Sequence, residues 1–213
     1  MDDEPDQRLE SRSSRRASKT RQRLLDAALY IFNTKGVDGC SIEDITESAD
    51  VGKGTFYRHF MDKLDILKTL LEFATSDLVK RMPSEQSVPL SLEDRTTQLM
   101  TAHMTFFSER EDLFLVFLQG QTMVATRPAK VPGILTPYSR YIAEIERRVA
   151  PAMPPASAPA HVRRMASAIA AAACGTVTIG LSLLESKHDV MSSLDLTRQS
   201  LLAGTSQILK RAG

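Results

Sequence analysis

Two long stretches without proline constrain the fold of this chain more than any other sequence feature. Of its 10 prolines, none lies between Pro5 and Pro83, and none follows Pro159. Proline breaks the interior of a helix because it lacks a backbone N–H and its ring clashes with the preceding turn. Long helices are therefore allowed in the first and last parts of the 213-residue chain, and the middle is predicted to hold more connections.

Apolar residues recur at helical spacing within these stretches. Leu24, Ala28 and Phe32 mark a first helix, which is predicted to begin near Thr20 and to stop at Gly36. The further segments with this spacing are residues 63–79, 92–107, 113–123, 138–149, 161–187 and 196–208. Because no segment shows the clear alternation of a β-strand, we predict an all-α fold.

Composition excludes several classes of protein. With 42% hydrophobic and 25% charged residues the chain is neither low-complexity nor collagenous, and a net charge of +1 provides no overall field for an anionic partner. Cys40 and Cys174 have no metal-ligand or paired-cysteine spacing, so neither a metal nor another cofactor is expected. The acidic N-terminus does not resemble a signal peptide, and a cytoplasmic location is expected.

Residues 165–184 carry no charge, and about twenty residues is the length that spans a bilayer. Most of these residues are small, as at Ala166, Ala170, Ala173 and Gly180, so the gain from entering lipid is poor. We therefore expect no membrane span. The pattern instead favours a helix whose small side chains let another helix approach closely.

Residues 41–60 predict two short helices joined by a tight turn. Ser41, followed by Asp44 three residues later, is a variant of the capping box that opens a helix. Phe56 and Phe60 form the inward face of the second short helix, and Asp50 lies where the turn favours a positive φ. The outward positions carry cations, hydroxyls and an aromatic, which suit phosphate oxygens and base edges: Lys53, Thr55, Tyr57, Arg58 and His59.

This segment resembles the TetR family of bacterial transcription regulators. The run VGKGTFYRHFMDK, residues 51–63, is similar to the recognition-helix signature of that family, and the similarity extends from about residue 20 to residue 71. Two positions depart from the family pattern. Asp50 stands where glycine is usual, although aspartate tolerates the left-handed region, and Gly52 replaces a frequent serine and so removes a possible helix cap.

The resemblance implies roles for individual residues on double-stranded DNA. Contacts to the phosphate backbone are implied for Ser41, Thr55, Tyr57, His59 and Lys63. Contacts to bases are implied for Lys53 and Gly54, with Arg58 as a further candidate. The domains are then a flexible basic arm over residues 1–19, a helix-turn-helix DNA-binding domain over 20–65, and an effector-binding and dimerisation domain over 66–213.

The basic N-terminal residues have two open interpretations. They are either a further contact to an adjacent groove of DNA or a solubilising tail. These residues are Arg12, Arg15, Arg16, Lys19, Arg21 and Arg23.

The resemblance also implies a homodimer formed through the last two helices, and a small, largely apolar effector that releases the protein from DNA. Adaptable apolar side chains of the middle helices are candidates for the effector pocket. They are Met100, His103, Met104, Phe107, Phe114, Phe117, Met123 and Tyr141. Each has the alternative of being an ordinary core residue. His103 is the strongest polar candidate, and Gln119 and Gln121 are weaker ones.

The resemblance implies a ligand-responsive regulator, whose usual output in the family is repression, and two other functions are alternatives to it. An enzyme built on a helical bundle is not favoured, because the sequence shows no paired carboxylates, phosphate loop or nucleophile signature. A partner-binding protein whose helix-turn-helix no longer binds DNA is the second alternative. It is suggested by Asp50, by Gly52 and by the acidic second helix.

Overall fold

The computed structural model of the chain describes residues 12–84, 90–127, 131, 133–155, 157–183, 196–197, 199–200 and 203. All regular structure among these residues is helical, which confirms the all-α prediction. The helices are α1 Arg12–Lys35, α2 Ile42–Ser48, α3 Lys53–Phe56, α4 Lys63–Arg81, α5 Leu92–Glu109, α6 Glu111–Thr126, α7 Leu135–Val149 and α8 Pro159–Leu183, with a short 3-10 helix at Ala150–Ala152.

The chain divides into two compact units, Met1–Leu70 and Leu71–Gly213. The division falls inside α4, five residues beyond the boundary predicted after residue 65. α4 therefore contributes its first turns to one unit and its remaining length to the other.

α1 begins at Arg12, so the predicted start near Thr20 is corrected, and residues 12–19 are helical rather than a flexible arm. The segment lacks glycine and proline and contains arginine, alanine and lysine, which favour helix even without an apolar face. The predicted stop is confirmed: Gly36 has φ 74° and donates to the Phe32 carbonyl at 3.1 Å.

The first unit has a core in which one face of α1 packs on α2, and α2 packs on α3. Leu24, Ala28 and Phe32 of α1 are fully buried, as are Ile45 of α2 and Phe56 of α3. Burying a side chain of this size stabilises the fold by about 1.5–3 kcal/mol, so these few residues fix the orientation of the short helices.

The second unit packs α8 against α5 and α7. Aromatic rings fill its centre, with the centroids of Phe107 and Phe114 4.8 Å apart and those of Phe117 and Tyr138 4.9 Å apart. Gly120 is needed here because a Cβ at that position would lie 2.5 Å from the Tyr138 hydroxyl. Because glycine has no Cβ, there is room for the Tyr138 hydroxyl to donate to the Phe117 carbonyl at 2.6 Å.

The small residues of α8 pack within the chain itself. Ala166, Ala170 and Ala173 are at most 6% exposed, and the helix neighbours are α5 and α7. The small side chains thus let other helices approach closely, as the sequence predicted, and these helices belong to the same chain rather than to a partner. Most of the predicted final helix, residues 196–208, lies outside the described residues. None of the described helices has the length and apolar content to cross a membrane.

Candidate functional site

Ser41 opens α2 through the predicted capping box. Its hydroxyl oxygen accepts from the Asp44 N–H at 3.1 Å, and the Asp44 carboxylate accepts from the Ser41 N–H at 2.7 Å. Lys35 bonds the same carboxylate at 2.5 Å, and together with the Ser41 bonds it lowers the pKa of Asp44 to about 2. The Ser41 hydroxyl, predicted to meet a phosphate, thus already has an intramolecular role.

The turn between α2 and α3 has the predicted geometry. Asp50 has φ 50°, the left-handed conformation expected at this position. Arg23 on α1 holds the turn from outside, since its guanidinium donates to the Ala49 carbonyl at 2.5 Å and to the Asp50 carbonyl at 3.2 Å. The turn delivers the chain to Lys53, the first residue of α3.

α3 is propped from behind by its two phenylalanines, as predicted. Phe56 is fully buried and Phe60 is 3% exposed, and their ring centroids lie 5.8 Å apart. Regular helix ends at Phe56, but the Phe60 N–H still donates to the Phe56 carbonyl at 3.0 Å. The short helix and the following turn thus present one continuous outward face.

That face carries the predicted polar groups. Tyr57 is 58% exposed, and Lys53, Gly54 and Arg58 are also exposed, with Thr55 and His59 half-buried. Lys53 forms an ion pair with Glu43 of α2, and Arg58 donates to the Thr55 hydroxyl at 2.9 Å. A Cβ added at Gly54 would meet nothing within 4 Å, so the surface is open there to a close approach.

Lys63 differs in its surroundings from the other predicted contacts. Its ammonium donates to the Cys40 carbonyl at 2.9 Å and lies 3.5 Å from the Asp38 carbonyl, and the side chain is half-buried. The first residue of α4 therefore braces the loop that precedes α2.

Arg21 contacts the domain in a way that the sequence did not predict. Its guanidinium lies 4.9 Å from the centroid of the Phe60 ring and 3.5 Å from the Thr69 hydroxyl. Like Arg23, it binds the helix-turn-helix rather than belonging to a free arm. The only feature of the sequence that could have predicted these contacts is the position of Arg21 and Arg23 beside the apolar face of α1.

These features define a helix-turn-helix domain of the kind found in bacterial regulators. A model of the family described as bacterial regulatory proteins, tetR family, matches residues 24–70. The resemblance to the TetR family that was seen in the sequence is thereby confirmed for this N-terminal domain.

Curated relatives match the same part of the chain. The transcriptional regulator AcrR of Shigella flexneri is 36% identical over 67 residues, which is 32% of this chain and 31% of that protein. The transcriptional repressor DhaR of Mycobacterium sp. (strain GP1) is 36% identical over 72 residues, which is 32% of this chain and 36% of that protein. The chain thus spans about a third of the length of these curated relatives.

Solved structures match over most of the chain and show the shared fold. Salmonella enterica GusR superposes with a TM-score of 0.69 and 18% identity, covering 87% of this chain and 94% of that one. The fatty acid degradation regulator FadR from Bacillus halodurans superposes with a TM-score of 0.67 and 17% identity, covering 87% and 95%. The second unit therefore has the fold of these regulators.

The second unit contains a cleft of about 590 Å³ between α6, α7 and α8. None of the described residues that line it carries a charge. They are Leu118, Gln121, Val124, Ala125, Tyr138, Tyr141, Ile142, Ser167, Ala170, Ala171, Cys174, Gly175 and Thr178.

The cleft includes only one of the eight predicted effector residues, Tyr141. The other seven belong to the packed core, each at most 5% exposed: Met100, His103, Met104, Phe107, Phe114, Phe117 and Met123. None of these seven side chains lines the cleft, and they pack instead in the core of the second unit. Of the two glutamines, Gln121 lines the cleft and Gln119 does not.

His103 holds Tyr141 from the core side. Its Nδ1 lies 2.6 Å from the Leu99 carbonyl and its Nε2 2.6 Å from the Tyr141 hydroxyl. A carbonyl only accepts, so Nδ1 carries the proton and Nε2 accepts from Tyr141. Burial lowers the pKa of His103 to about 4 and raises the pKa of the Cys174 thiol to about 12, which keeps both groups neutral.

Within the described part of the chain, no group of three or more histidine, cysteine, aspartate or glutamate side chains lies close enough together to hold a metal ion.

Proposed function

We propose that this protein is a DNA-binding transcription regulator that reads its operator with α3 of each protomer. One observation carries the proposal: a cationic, hydroxyl-bearing face is exposed at Lys53, Tyr57 and Arg58 and is rigidly supported by buried Phe56. Such side chains bind phosphate oxygens and the edges of bases in the major groove.

Lys53 and Arg58 exchange weak intramolecular partners for DNA. Lys53 leaves Glu43 and reads bases together with Gly54 and Arg58, while Thr55, Tyr57 and His59 bind the backbone. An exposed ion pair is worth about 0–1 kcal/mol, so its exchange for a phosphate or guanine contact costs little. Ser41 and Lys63 support this face indirectly, through the capping box and the bond to Cys40.

A homodimer supplies the second recognition helix. Helix-turn-helix proteins read two half-sites about one helical turn apart, so two copies must be joined. Besides the face that packs inside the chain, α8 offers a face formed by Ala168, Ala172 and Ile179, the last 48% exposed. We propose that this face meets its copy, together with the final helix predicted over residues 196–208.

The effector site proposed here is the cleft between α6, α7 and α8. Its described lining is uncharged and largely apolar, with hydrogen-bonding groups at Gln121, Ser167 and Thr178. Binding a charge without a partner in such a place is unfavourable, so a neutral, mostly apolar ligand fits best. Ligand binding then weakens operator affinity, with repression as the output in its absence. A coupling of about 1–3 kcal/mol produces a 5- to 150-fold change.

DNA binding is tested by fluorescence anisotropy with genomic fragments at two salt concentrations. Tyr57→Phe should weaken binding to all sequences alike, whereas Lys53→Ala should change which sequence is preferred. Tight binding that weakens with salt is the expected result for the unaltered protein. If it binds no fragment at low salt, the regulator proposal is wrong, and the alternative of a protein with a non-functional helix-turn-helix is favoured.

The effector proposal is tested by thermal unfolding with matched neutral and anionic amphiphiles. Neutral compounds should raise the melting temperature, because a ligand that binds only the folded state stabilises it. Ala171→Phe, which fills the cleft, should abolish the shift, and Ala160→Phe, at an exposed position of α8 outside the cleft, should retain it. A shift that persists in Ala171→Phe would place the ligand elsewhere.

A further inference from the structure

We propose that the N-terminal half of α1 is a second phosphate-binding surface, which holds the DNA backbone beside the segment read by α3. It consists of a basic stripe: Arg15, Arg16, Lys19 and Arg23. This inference rests on the proposed function and adds to it a contact outside the helix-turn-helix.

The four cations share one side of the helix. With 3.6 residues per turn they fall within an arc of about 100°. All four are exposed, and the Arg23 side chain retains 52% of its accessible surface. The segment from residue 12 to residue 25 contains no aspartate or glutamate. A carboxylate from outside the helix, that of Asp50, lies 3.4 Å from the Arg23 guanidinium at one end of the stripe.

The stripe is unfavourable for the helix that carries it. Cations near the N-terminus of a helix face the positive end of its dipole. Arg15 and Lys19, and again Lys19 and Arg23, are like charges four residues apart, which also destabilises a helix. A polyanion bound to the stripe would offset both of these unfavourable terms. Binding of such a partner therefore explains why the cations are placed together, whereas the stability of the helix does not.

The structure fixes the place of the stripe relative to α3. Arg23, at one end, donates to the carbonyls of Ala49 and Asp50, in the turn three residues before Lys53. From there the stripe extends to Arg15 over eight residues, or about 12 Å at 1.5 Å per residue.

A second tether sets the rotation of α1. Arg21, about 160° around the helix from Arg23, lies over the Phe60 ring at 4.9 Å and reaches Thr69. Because tethers on both flanks hold α1, the stripe has a defined direction. It differs in this from a loosely attached basic tail.

The partner that fits is the sugar-phosphate backbone rather than the bases. Exposed arginine and lysine side chains along one helix match a row of like charges, and nothing in the stripe selects one base over another. Each phosphate contact releases a counterion, which makes affinity fall with salt with a slope of about 0.9 per contact on a logarithmic plot.

The test compares the salt dependence of DNA binding between variants of the full chain. The triple variant Arg15→Gln, Arg16→Gln and Lys19→Gln removes charge but keeps residues that favour helix. A matched control removes the same charge at exposed positions of the second unit, as Lys80→Gln, Arg140→Gln and Arg147→Gln. A charge-conserving variant, Arg15→Lys, Arg16→Lys and Lys19→Arg, completes the set, and circular dichroism verifies the helix content of each protein.

We expect the triple variant to lose about tenfold or more in affinity at low salt, on operator and random DNA alike, with a slope shallower by about 0.9 for each lost contact. The control and the charge-conserving variant should bind as the unaltered protein does. If the unaltered protein binds DNA and the triple variant has the same affinity and slope, the inference is wrong and the proposed function stands. A changed sequence preference would also overturn it, and absence of DNA binding by the unaltered protein would overturn the proposed function as well.

Discussion

The Lys63 ammonium donates a hydrogen bond to the Cys40 carbonyl, 2.9 Å away. This bond ties the first residue of α4 to the residue before Ser41, the N-cap of α2. The position of Lys63 in the motif implied a phosphate contact, but in the structure its side chain helps to orient α2.

Lys63→Ala should therefore lower the free energy of unfolding. The loss should be about 1–2 kcal/mol, because a hydrogen bond from a charged donor is removed at a half-buried position. Urea denaturation measures it, and Lys80→Ala, on an exposed part of α4, should change stability by only a few tenths of a kcal/mol. Unchanged stability combined with weaker DNA binding would instead assign Lys63 directly to the phosphate backbone.

Replacing Asp50 by glycine and by alanine should give proteins of clearly different stability. At φ 50° glycine is unstrained, whereas alanine bears the steric cost of the left-handed region. Asp50→Gly should be more stable than Asp50→Ala by about 1 kcal/mol in chemical denaturation, even though glycine gains more freedom on unfolding. Equal stabilities would mean that the turn relaxes to another conformation when the carboxylate is lost.

His103 should make stability depend on pH. The pKa of its imidazole is about 4 in the folded chain against an ordinary 6.5, so between these values the unfolded chain binds one more proton. Stability should consequently fall as the pH is lowered through this window, by up to about 3 kcal/mol, and be fully present above it. Urea denaturation at several pH values from 7.5 to 4.5 measures the slope.

His103→Gln should be less stable at neutral pH but should show a flatter dependence on pH. His161→Gln, at a half-buried position near the start of α8, is the matched control and should keep the slope of the unaltered protein. A steep slope retained in His103→Gln would show that other groups cause it.

Ala172→Glu should weaken the homodimer. The substitution places a charge on the proposed contact face of α8, where burial without a partner is costly. Sedimentation velocity should show a shift toward monomer, and operator affinity should fall with it. Ala171→Glu, one residue away on the cleft side, should leave the dimer intact. Dissociation by Ala171→Glu alone would place the contact on the other side of the helix.

Local features of the first unit were predictable because short-range chemistry fixes them. The capping box at Ser41, the left-handed Asp50 and the helix stop at Gly36 each follow from one or two side chains and their neighbours. The start of α1 was not predictable from periodicity, since residues 12–19 have no apolar face and are helical through propensity.

Features that depend on which elements meet were predicted less well. Periodicity shows that Phe107 and Phe117 face inward, but not that the gap between helices lies beyond Tyr141. In the same way, Ala166 and Ala170 indicate close packing without naming the neighbour, which is within the chain. The bond from Lys63 to Cys40 spans 23 positions, so no local pattern announces it.

One wall of the cleft is built from three exposed residues of α8, which are Ser167, Ala171 and Gly175. A Cβ at Gly175 would enter open space, so larger side chains can be accommodated on this wall without displacing a buried neighbour. Substitutions that enlarge these side chains should therefore change the shape of the cleft in small steps and leave the packed core unchanged. In evolution, amino-acid substitutions should therefore be tolerated on this wall of the cleft more readily than among the buried aromatic residues.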